Sequence, residues 1–156
     1  MIHILYRHTE NLNRSNKNRP QWFSYEKSLN NLLTTIDGRN DVTFHLLYDG
    51  IYKDNDPRIH KVEQFLGGSD KKSFFYAWDY AQKLKLEDND LVYFCENDYL
   101  HTPGWVDKIL NLYDHFSIPG YVSLYDHADK YTYRYSDLVS SIYVTDTSHW
   151  RTIHST

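Results

Sequence analysis

The 156-residue sequence predicts an α/β fold, built on an open, mostly parallel, twisted sheet with helices on both faces. The alternation of two kinds of segment predicts it. Short apolar segments of β-type alternate along the chain with segments whose apolar residues recur every three or four positions. Strands and helices in alternation are typical of parallel sheets. Because roughly 100–200 residues form one domain, we expect a single domain over 1–156.

The first elements follow each other in that order. Residues 2–6 are short, apolar and rich in β-branched or aromatic side chains, and they predict a first strand. A polar, basic loop follows over 10–20. Helical spacing of the apolar residues over 22–36 predicts an amphipathic helix, which the Asp-Gly pair at 37–38 ends. The apolar run 42–48 predicts a second strand.

The middle of the chain predicts another helix and a further strand. Turn-rich connections at 54–57 and 67–70 lead to a helix over 73–86. Residues 91–95 form the longest unbroken apolar strand, which we expect in the middle of the sheet, because such strands are covered on both faces. The inner face of the helix is expected to comprise Phe74, Trp78, Ala81 and Leu84 or Leu86.

The last elements are a third helix, a strand and a hairpin. Pro103 suits the first turn of a helix. Residues 121–125 predict a strand. The alternating segments 131–135 and 139–144 predict a C-terminal hairpin or two edge strands. The inner stripe of the third helix is expected to comprise Trp105, Ile109 and Leu112.

Composition narrows the class of protein. Lysine and arginine total 17 and aspartate and glutamate 21, a net charge of −4, which predicts neither general nucleic-acid binding nor attraction to an anionic membrane. No apolar run approaches the length of a membrane span, and no signal-peptide pattern opens the sequence, so a cytoplasmic protein is expected. The single cysteine, Cys95, excludes an internal disulfide and is expected in the core.

Two carboxylates follow the 91–95 strand, where a ligand site is expected. Parallel sheets bind ligands outside the carboxyl ends of their strands. Glu96 and Asp98 are two positions apart, so on extended backbone their side chains point to the same side. There they can share one hard divalent cation, which prefers oxygen ligands and phosphates. The alternative is a polar turn that caps a buried strand.

Other strand ends carry polar side chains as well. Asp49 and Gly50 form either a plain turn or a carboxylate site for a nucleobase N–H or a ribose hydroxyl. Asp126, with His127 behind it, is either a turn cap or a general base. The end of the first strand and the loop after it carry candidates for phosphate binding. Arginine side chains there either bind phosphate oxygens or are simply solvated. The candidates are Arg7, Thr9, Arg14 and Arg19.

The order of these features resembles nucleotide-sugar glycosyltransferases of the GT-A fold, of the family-two type. The Asp49-Gly50 pair, the 73–86 helix and the stretch 90–98 carry the resemblance, which covers about residues 1–125. Its sharpest part is FCENDYLHTPGW at 94–105. Domains of that family usually continue past residue 156, so the chain is expected to be a C-terminally truncated form or a minimal nucleotide-sugar module.

The resemblance implies roles for the strand-ending residues. Asp98 matches the ligand of a Mn²⁺ or Mg²⁺ ion, and Glu96 matches the first acid of the motif, which contacts ribose or metal. Asp49 matches the carboxylate that reads the base. The donor is a nucleotide-diphosphate sugar, and the acceptor is a carbohydrate or another hydroxyl compound. The remaining members of the nucleotide-sugar-binding set are Arg7, Thr9, Gly50 and Asn97.

Two other functions remain open. A nucleotidyltransferase uses a similar crevice, but it normally has a Gly-rich basic loop after the first strand, which this sequence lacks. A non-catalytic module that binds a nucleotide sugar or a carbohydrate is the third possibility. Fifteen tyrosines suit such a surface, although aromatic residues more often serve cores and interfaces.

Overall fold

The computed structural model describes residues 1–9, 19–117, 120–125 and 139–152. The chain divides into two compact units, Met1–Pro103 and Gly104–Thr156. In this part of the chain the α/β class is confirmed, with a four-stranded, all-parallel sheet, three helices and a small antiparallel hairpin. None of the described helices is long and apolar enough to cross a membrane.

The first unit contains the parallel sheet. Its strands are β1 (Ile2–Thr9), β2 (Val42–Asp49), β3 (Val62–Phe65) and β4 (Leu91–Glu96), in the spatial order β3-β2-β1-β4. The strand β3 was not predicted, because only four residues with two polar side chains give no usable alternation. The chain therefore moves outward from β1 to β3 and then crosses to the other side of β1. The order reverses between β1 and β4.

Two helices connect these strands, α1 (Tyr25–Thr35) and α2 (Asp70–Lys83). Each begins at a serine N-cap, Ser24 or Ser69, whose hydroxyl accepts a hydrogen bond from a backbone N–H three residues later. The crossovers β1–α1–β2 and β3–α2–β4 run in opposite directions, so with the usual right hand they place the helices on opposite faces. Helices on both faces of the sheet stay a prediction, which the usual handedness favours.

The central strand is β1, not the strand at 91–95. Its residues from Ile2 to Arg7 are all buried, whereas β4 lies at an edge of the described sheet and only its Cys95 is fully buried. The prediction of a central position for 91–95 was wrong. β1 and β4 are both rich in apolar residues, and such a composition reflects how far the two faces of a strand are covered by other elements. It does not determine which strand has neighbours on both sides.

The buried face of α2 also differs from the prediction. The residues turned inward are Ser73 and Ala77, and Ala77 packs on Leu5 and Leu47 of the sheet. Phe74 and Trp78 are 40% and 39% exposed. Small side chains one turn apart let the helix approach the sheet closely, so the large rings lie at its flank. The predicted Ala81 and Leu84 do pack against this core, while Leu86 is 38% exposed.

The second unit contains α3 (Trp105–His115) and the hairpin of β5 (Ile142–Val144) and β6 (His149–Arg151). Gly104, with φ +75°, is the N-cap of α3, so Pro103 precedes the helix rather than lying in its first turn. The predicted strand at 121–125 was wrong: these residues form no strand, and Tyr121 is 83% exposed. The segment 131–135 lies outside the described residues. The predicted stripe of α3 is buried: Trp105, Ile109 and Leu112.

Candidate functional site

The candidate site lies where the strand order reverses, at the carboxyl ends of β1 and β4. Open parallel sheets bind ligands at such a point, because the connections leave the two strands in different directions and a crevice opens between them. Arg7 of β1 is the register partner of Glu96 of β4. The structure therefore brings together two of the residues that the sequence placed at strand ends.

Arg7 joins β4 to the start of α2. Its Nη2 donates to Glu96 Oε1 over 2.6 Å, and its Nη1 donates to Asp70 Oδ1 over 3.0 Å. The side chain is only 8% exposed, and its guanidinium carbon lies 5.7 Å from the centre of the Phe74 ring. Arg7 is thus a fixed cation beneath the crevice. Asp70 was not predicted, because its only signal in the sequence is its position after a serine N-cap.

Asp98 has a different arginine partner. β4 ends at Glu96, and Asp98 lies in the turn that follows. Arg19 Nη2 donates to Asp98 Oδ2 over 2.6 Å, and the Asp98 side chain is 9% exposed. The expectation that extended backbone carries both acids to one side was wrong in its premise, because the backbone turns after Glu96. Each acid holds its own guanidinium.

A buried hydroxyl lies beside Asp98. The Tyr6 side chain is 1% exposed, and its hydroxyl has no hydrogen-bond partner among the residues that the structure describes. Burial raises the pKa of Tyr6 well above its usual value, and the negative charges of Cys95 and Asp98 raise it further. The neutral hydroxyl is therefore available to a ligand that reaches Asp98.

His8 of β1 contacts Asn97 in the loop after β4. Asn97 Nδ2 and His8 Nδ1 are 2.9 Å apart. Burial lowers the pKa of His8 to about 4, a shift that the charge of Asp54 partly opposes. The imidazole is therefore neutral near pH 7, and its Nδ1 accepts the amide hydrogen. Thr9 donates its hydroxyl hydrogen to the main-chain oxygen of Asp49 over 3.3 Å.

The Asp49 carboxylate binds the backbone of the loop between β3 and α2. Its Oδ1 accepts the Gly67 N–H and its Oδ2 accepts the Gly68 N–H, both over 2.8 Å. Gly50 donates its own N–H to Phe65 O over 2.9 Å. Each carboxylate oxygen keeps a second lone pair, so base recognition by Asp49 stays a prediction. The contacts present give Asp49 a structural role at this strand end.

Asp49→Ala is therefore expected to lower the free energy of unfolding by about 3 kcal/mol, since it removes two hydrogen bonds to a charged group. Urea unfolding measures this. Asp79→Ala, which removes an exposed carboxylate on α2, is the control and should change stability by less than about 0.5 kcal/mol. A loss below about 1 kcal/mol for Asp49→Ala would show that the two backbone N–H groups find other acceptors.

The lack of a side chain at Gly67 allows this contact between the loop and Asp49. A Cβ atom at this position would lie 2.8 Å from Phe65 Cε2 and 3.0 Å from Asp49 Oδ2. Contacts this short force the ring or the carboxylate to move. Glycine at 67 thus lets the loop backbone approach the carboxylate closely.

The side chains at and after the end of β4 include two carboxylates, which are the type of ligand that a hard divalent cation prefers. Among the described residues, no three His, Cys, Asp or Glu side chains come together as a ligand group. Mg²⁺, however, is usually held by one or two carboxylates, with substrate phosphates and water completing its shell. Asp98 and Glu96 are two carboxylates that each already hold a cationic guanidinium, and Asp98 is near enough to the Tyr6 hydroxyl to raise its pKa. A Mn²⁺ or Mg²⁺ ion held by Asp98 and Glu96 therefore stays a prediction.

A second buried cluster supports the loop after β4. The Tyr93 hydroxyl and His101 Nε2 are 2.9 Å apart, and Asn31 of α1 binds both the N–H and the oxygen of the His101 backbone. Burial raises the pKa of Cys95 to about 12, so its thiol stays protonated. The prediction of a core cysteine is confirmed. Asn31 was not predicted, because nothing in a helical polar residue indicates a contact 70 positions away.

Three candidates fall on residues that the structure does not describe: Asp126, its neighbour His127, and Arg14. No protein-family model matches the chain, and no curated protein sequence or solved structure is significantly similar to it.

Proposed function

We propose that the chain binds a nucleotide-diphosphate sugar and a divalent cation at the β1–β4 crevice, and that it acts as a glycosyltransferase of GT-A type. One observation carries the proposal. The acid that ends β4, Glu96, and the acid in the turn after it, Asp98, follow the strand at which the strand order reverses, and each is paired with a guanidinium. This is a site that holds positive charge next to carboxylates, which a metal-bound diphosphate requires.

Each side chain has a distinct part in this proposal. Arg7 keeps Glu96 in place and sets the position of the α2 N-terminus. Asp98 is the proposed metal ligand, with Glu96 as its neighbour. Thr9 and Asp49 line the side of the crevice proposed for the base and ribose.

The transfer step needs charge neutralisation and a base. Asp98, with Glu96 near it in the sequence, would hold Mn²⁺ or Mg²⁺, and this ion would supply positive charge to the leaving diphosphate. An acceptor hydroxyl, deprotonated by a carboxylate, attacks the anomeric carbon. The bond from that carbon to the donor phosphate oxygen then breaks, and the diphosphate keeps the electron pair. Asp126 stays the proposed base.

A carbohydrate-binding module without catalysis is the second candidate. Phe74, Phe75 and Trp78 are 40%, 52% and 39% exposed on α2, and Phe74 lies beside the guanidinium of Arg7. Exposed rings next to hydrogen-bonding groups suit the apolar faces and hydroxyls of sugars. This candidate predicts sugar binding without metal or nucleotide.

Thermal unfolding with UDP, GDP and dTDP, each with and without Mn²⁺, tests the proposal. A nucleoside diphosphate at 100 times its Kd should stabilise the protein by about 2.7 kcal/mol, or about 5–10 °C in Tm, and only with Mn²⁺. Hydrolysis of the matching nucleotide sugar then distinguishes a glycosyltransferase from a nucleotidyltransferase. Stabilisation by oligosaccharides alone would favour the binding module, and no stabilisation by any nucleotide would refute the proposal.

A further inference from the structure

Three exposed aromatic side chains form one patch on α2: Phe74, Phe75 and Trp78. The ring centre of Phe74 lies 5.9 Å from that of Phe75 and 6.5 Å from that of Trp78, so the rings are contiguous. We call these three residues the ring surface. Contiguous apolar patches on the outside of a protein commonly mark a binding site. The ring surface is therefore a candidate site of its own.

The ring surface is supported from behind by β4. The Phe94 ring is stacked on that of Trp78, with ring centres 5.9 Å apart and 18° between the planes, and its centre lies 6.0 Å from that of Phe74. One face of the Trp78 indole thus rests on Phe94, and a ligand can reach the opposite face. A ring that is already fixed by packing loses little side-chain entropy on binding. The ring surface is therefore a preformed platform for a flat apolar face.

Hydrogen-bonding side chains border the ring surface. Asp70, Lys71 and Gln82 are exposed, and each lies four positions from one of the three rings. Side chains four positions apart are neighbours on a helix surface. The Asp70 carboxylate is also fixed in place, because Arg7 Nη1 donates to its Oδ1 over 3.0 Å while the side chain remains 88% exposed. The site thus offers apolar ring faces together with donors and acceptors.

The charges around the ring surface decide between kinds of ligand. α2 carries three lysines and two aspartates, which nearly balance, whereas anionic membranes and nucleic acids attract clustered positive charge. The core of a protein interface is depleted in charged residues, but here charged residues lie next to the rings. A cationic ligand is disfavoured, because the Arg7 guanidinium already lies 5.7 Å from the centre of the Phe74 ring. A neutral ligand with apolar faces and hydroxyl groups fits best, and a pyranose sugar has both.

We propose that the ring surface binds a neutral oligosaccharide, whose sugar rings stack on Trp78 and Phe75 and whose hydroxyl groups bond to Asp70 and Gln82. One sugar unit does not cover three aromatic rings, so an oligosaccharide is expected rather than a monosaccharide. α2 begins where Arg7 binds Asp70, at the carboxyl end of β1, so the oligosaccharide lies next to the crevice. In the proposed transferase it is the acceptor, and this role rests on the proposed function.

Titration calorimetry with cellotetraose and maltotetraose, combined with tryptophan fluorescence, tests the inference. The parent should bind one of them with a shift in tryptophan emission. Trp78→Ala should bind it about 10-fold more weakly, because a stacking face is lost. Trp78→Phe keeps an aromatic face, so it should retain most of the affinity but lose the emission shift. Asp70→Ala should also weaken binding about 10-fold, because it removes a charged acceptor.

Trp22→Ala is the matched control. It removes another exposed tryptophan, which lies before α1 and outside the ring surface, and it should leave the affinity unchanged. Oligosaccharide binding by the parent should be the same with and without Mn²⁺. Trp78→Phe keeps the test informative if Trp78→Ala unfolds.

The outcomes separate this inference from the proposed function. If no oligosaccharide binds, or if Trp78→Ala binds as tightly as the parent, the ring surface is refuted as a sugar site, while Mn²⁺-dependent binding of UDP, GDP or dTDP still supports the transferase. Binding of tetramethylammonium or of phosphatidylcholine–phosphatidylserine vesicles in place of sugar also refutes it. If the parent binds the oligosaccharide through Trp78 but binds no nucleoside diphosphate, the sugar site is supported, and the transferase and the acceptor role are refuted together.

Discussion

Asp98→Asn is expected to weaken the Mn²⁺-dependent binding of a nucleoside diphosphate by at least about 100-fold, or 2.7 kcal/mol. The amide lacks the charge that a hard divalent cation requires of its ligand. The fold should persist, because Asn keeps a side-chain oxygen that accepts the hydrogen bond from Arg19. Removing a nearly buried charge also costs no desolvation.

Asp41→Asn is the matched control. Asp41 also accepts hydrogen bonds from an arginine, at 2.9 Å and 2.7 Å, but it lies at the amino ends of the strands. Titration calorimetry should give this control the parent's affinity, and thermal unfolding should show both variants folded. Equal diphosphate binding by Asp98→Asn and the parent would remove Asp98 from the metal site.

The strand ends could be predicted because parallel sheets obey simple rules. Apolar runs that stop at polar residues locate the carboxyl ends of β1, β2 and β4. Parallel pairing then brings those ends to one edge, and the register places Arg7 opposite Glu96. Local sequence therefore sufficed to place these strand ends at one end of the sheet.

The choice of ion-pair partners could not be predicted. Arg7 contacts acids 63 and 89 positions away, and Arg19 contacts one 79 positions away. Such pairings follow from strand order and loop paths, which periodicity does not encode. The same limit explains why Asp49, an ordinary turn residue by sequence, was not expected to bind the N–H groups of Gly67 and Gly68.

Burial patterns within α2 show a second limit. Large apolar residues at helical spacing suggested that Phe74 and Trp78 face the core. Ser73 and Ala77 have the same spacing but little apolar area, so a prediction of the buried face from hydrophobicity overlooks them. Close approach of a helix to a sheet favours small side chains, and this depends on packing distance rather than on periodicity.

Acidification is expected to destabilise the protein strongly between pH 6.5 and pH 4. Burial lowers the pKa of His45 and of His101 to about 4, and His8 behaves likewise. For His45 the positive charge of Lys61 and the neighbouring His3 lower the pKa further. Each of these histidines is neutral in the folded protein in a range where it is protonated in the unfolded chain.

The direction and range follow from these values. The unfolded state binds more protons between pH 6.5 and 4, so stability falls as the pH is lowered through this range, and the histidine contribution levels off below it. Each histidine contributes a slope of at most about 1.4 kcal/mol per pH unit. Asp56 and Asp90, whose pKa values are lowered to about 2 by their hydrogen bonds, act only below about pH 4. The two ranges therefore do not overlap.

Urea unfolding at pH 7, 6, 5 and 4 measures this dependence. His45→Gln is the informative variant, because His45 is 1% exposed and bonds the Tyr80 hydroxyl through Nδ1 over 3.0 Å. A glutamine does not titrate, so the slope should decrease by about 1.4 kcal/mol per pH unit, whatever the variant's stability at pH 7. Asn55→Gln, at an exposed residue that does not titrate, should keep the parent's slope. If the parent's free energy of unfolding is constant from pH 7 to 4.5, the prediction is wrong. The three imidazoles would then be hydrated when they are protonated, and burial would not lower their pKa values.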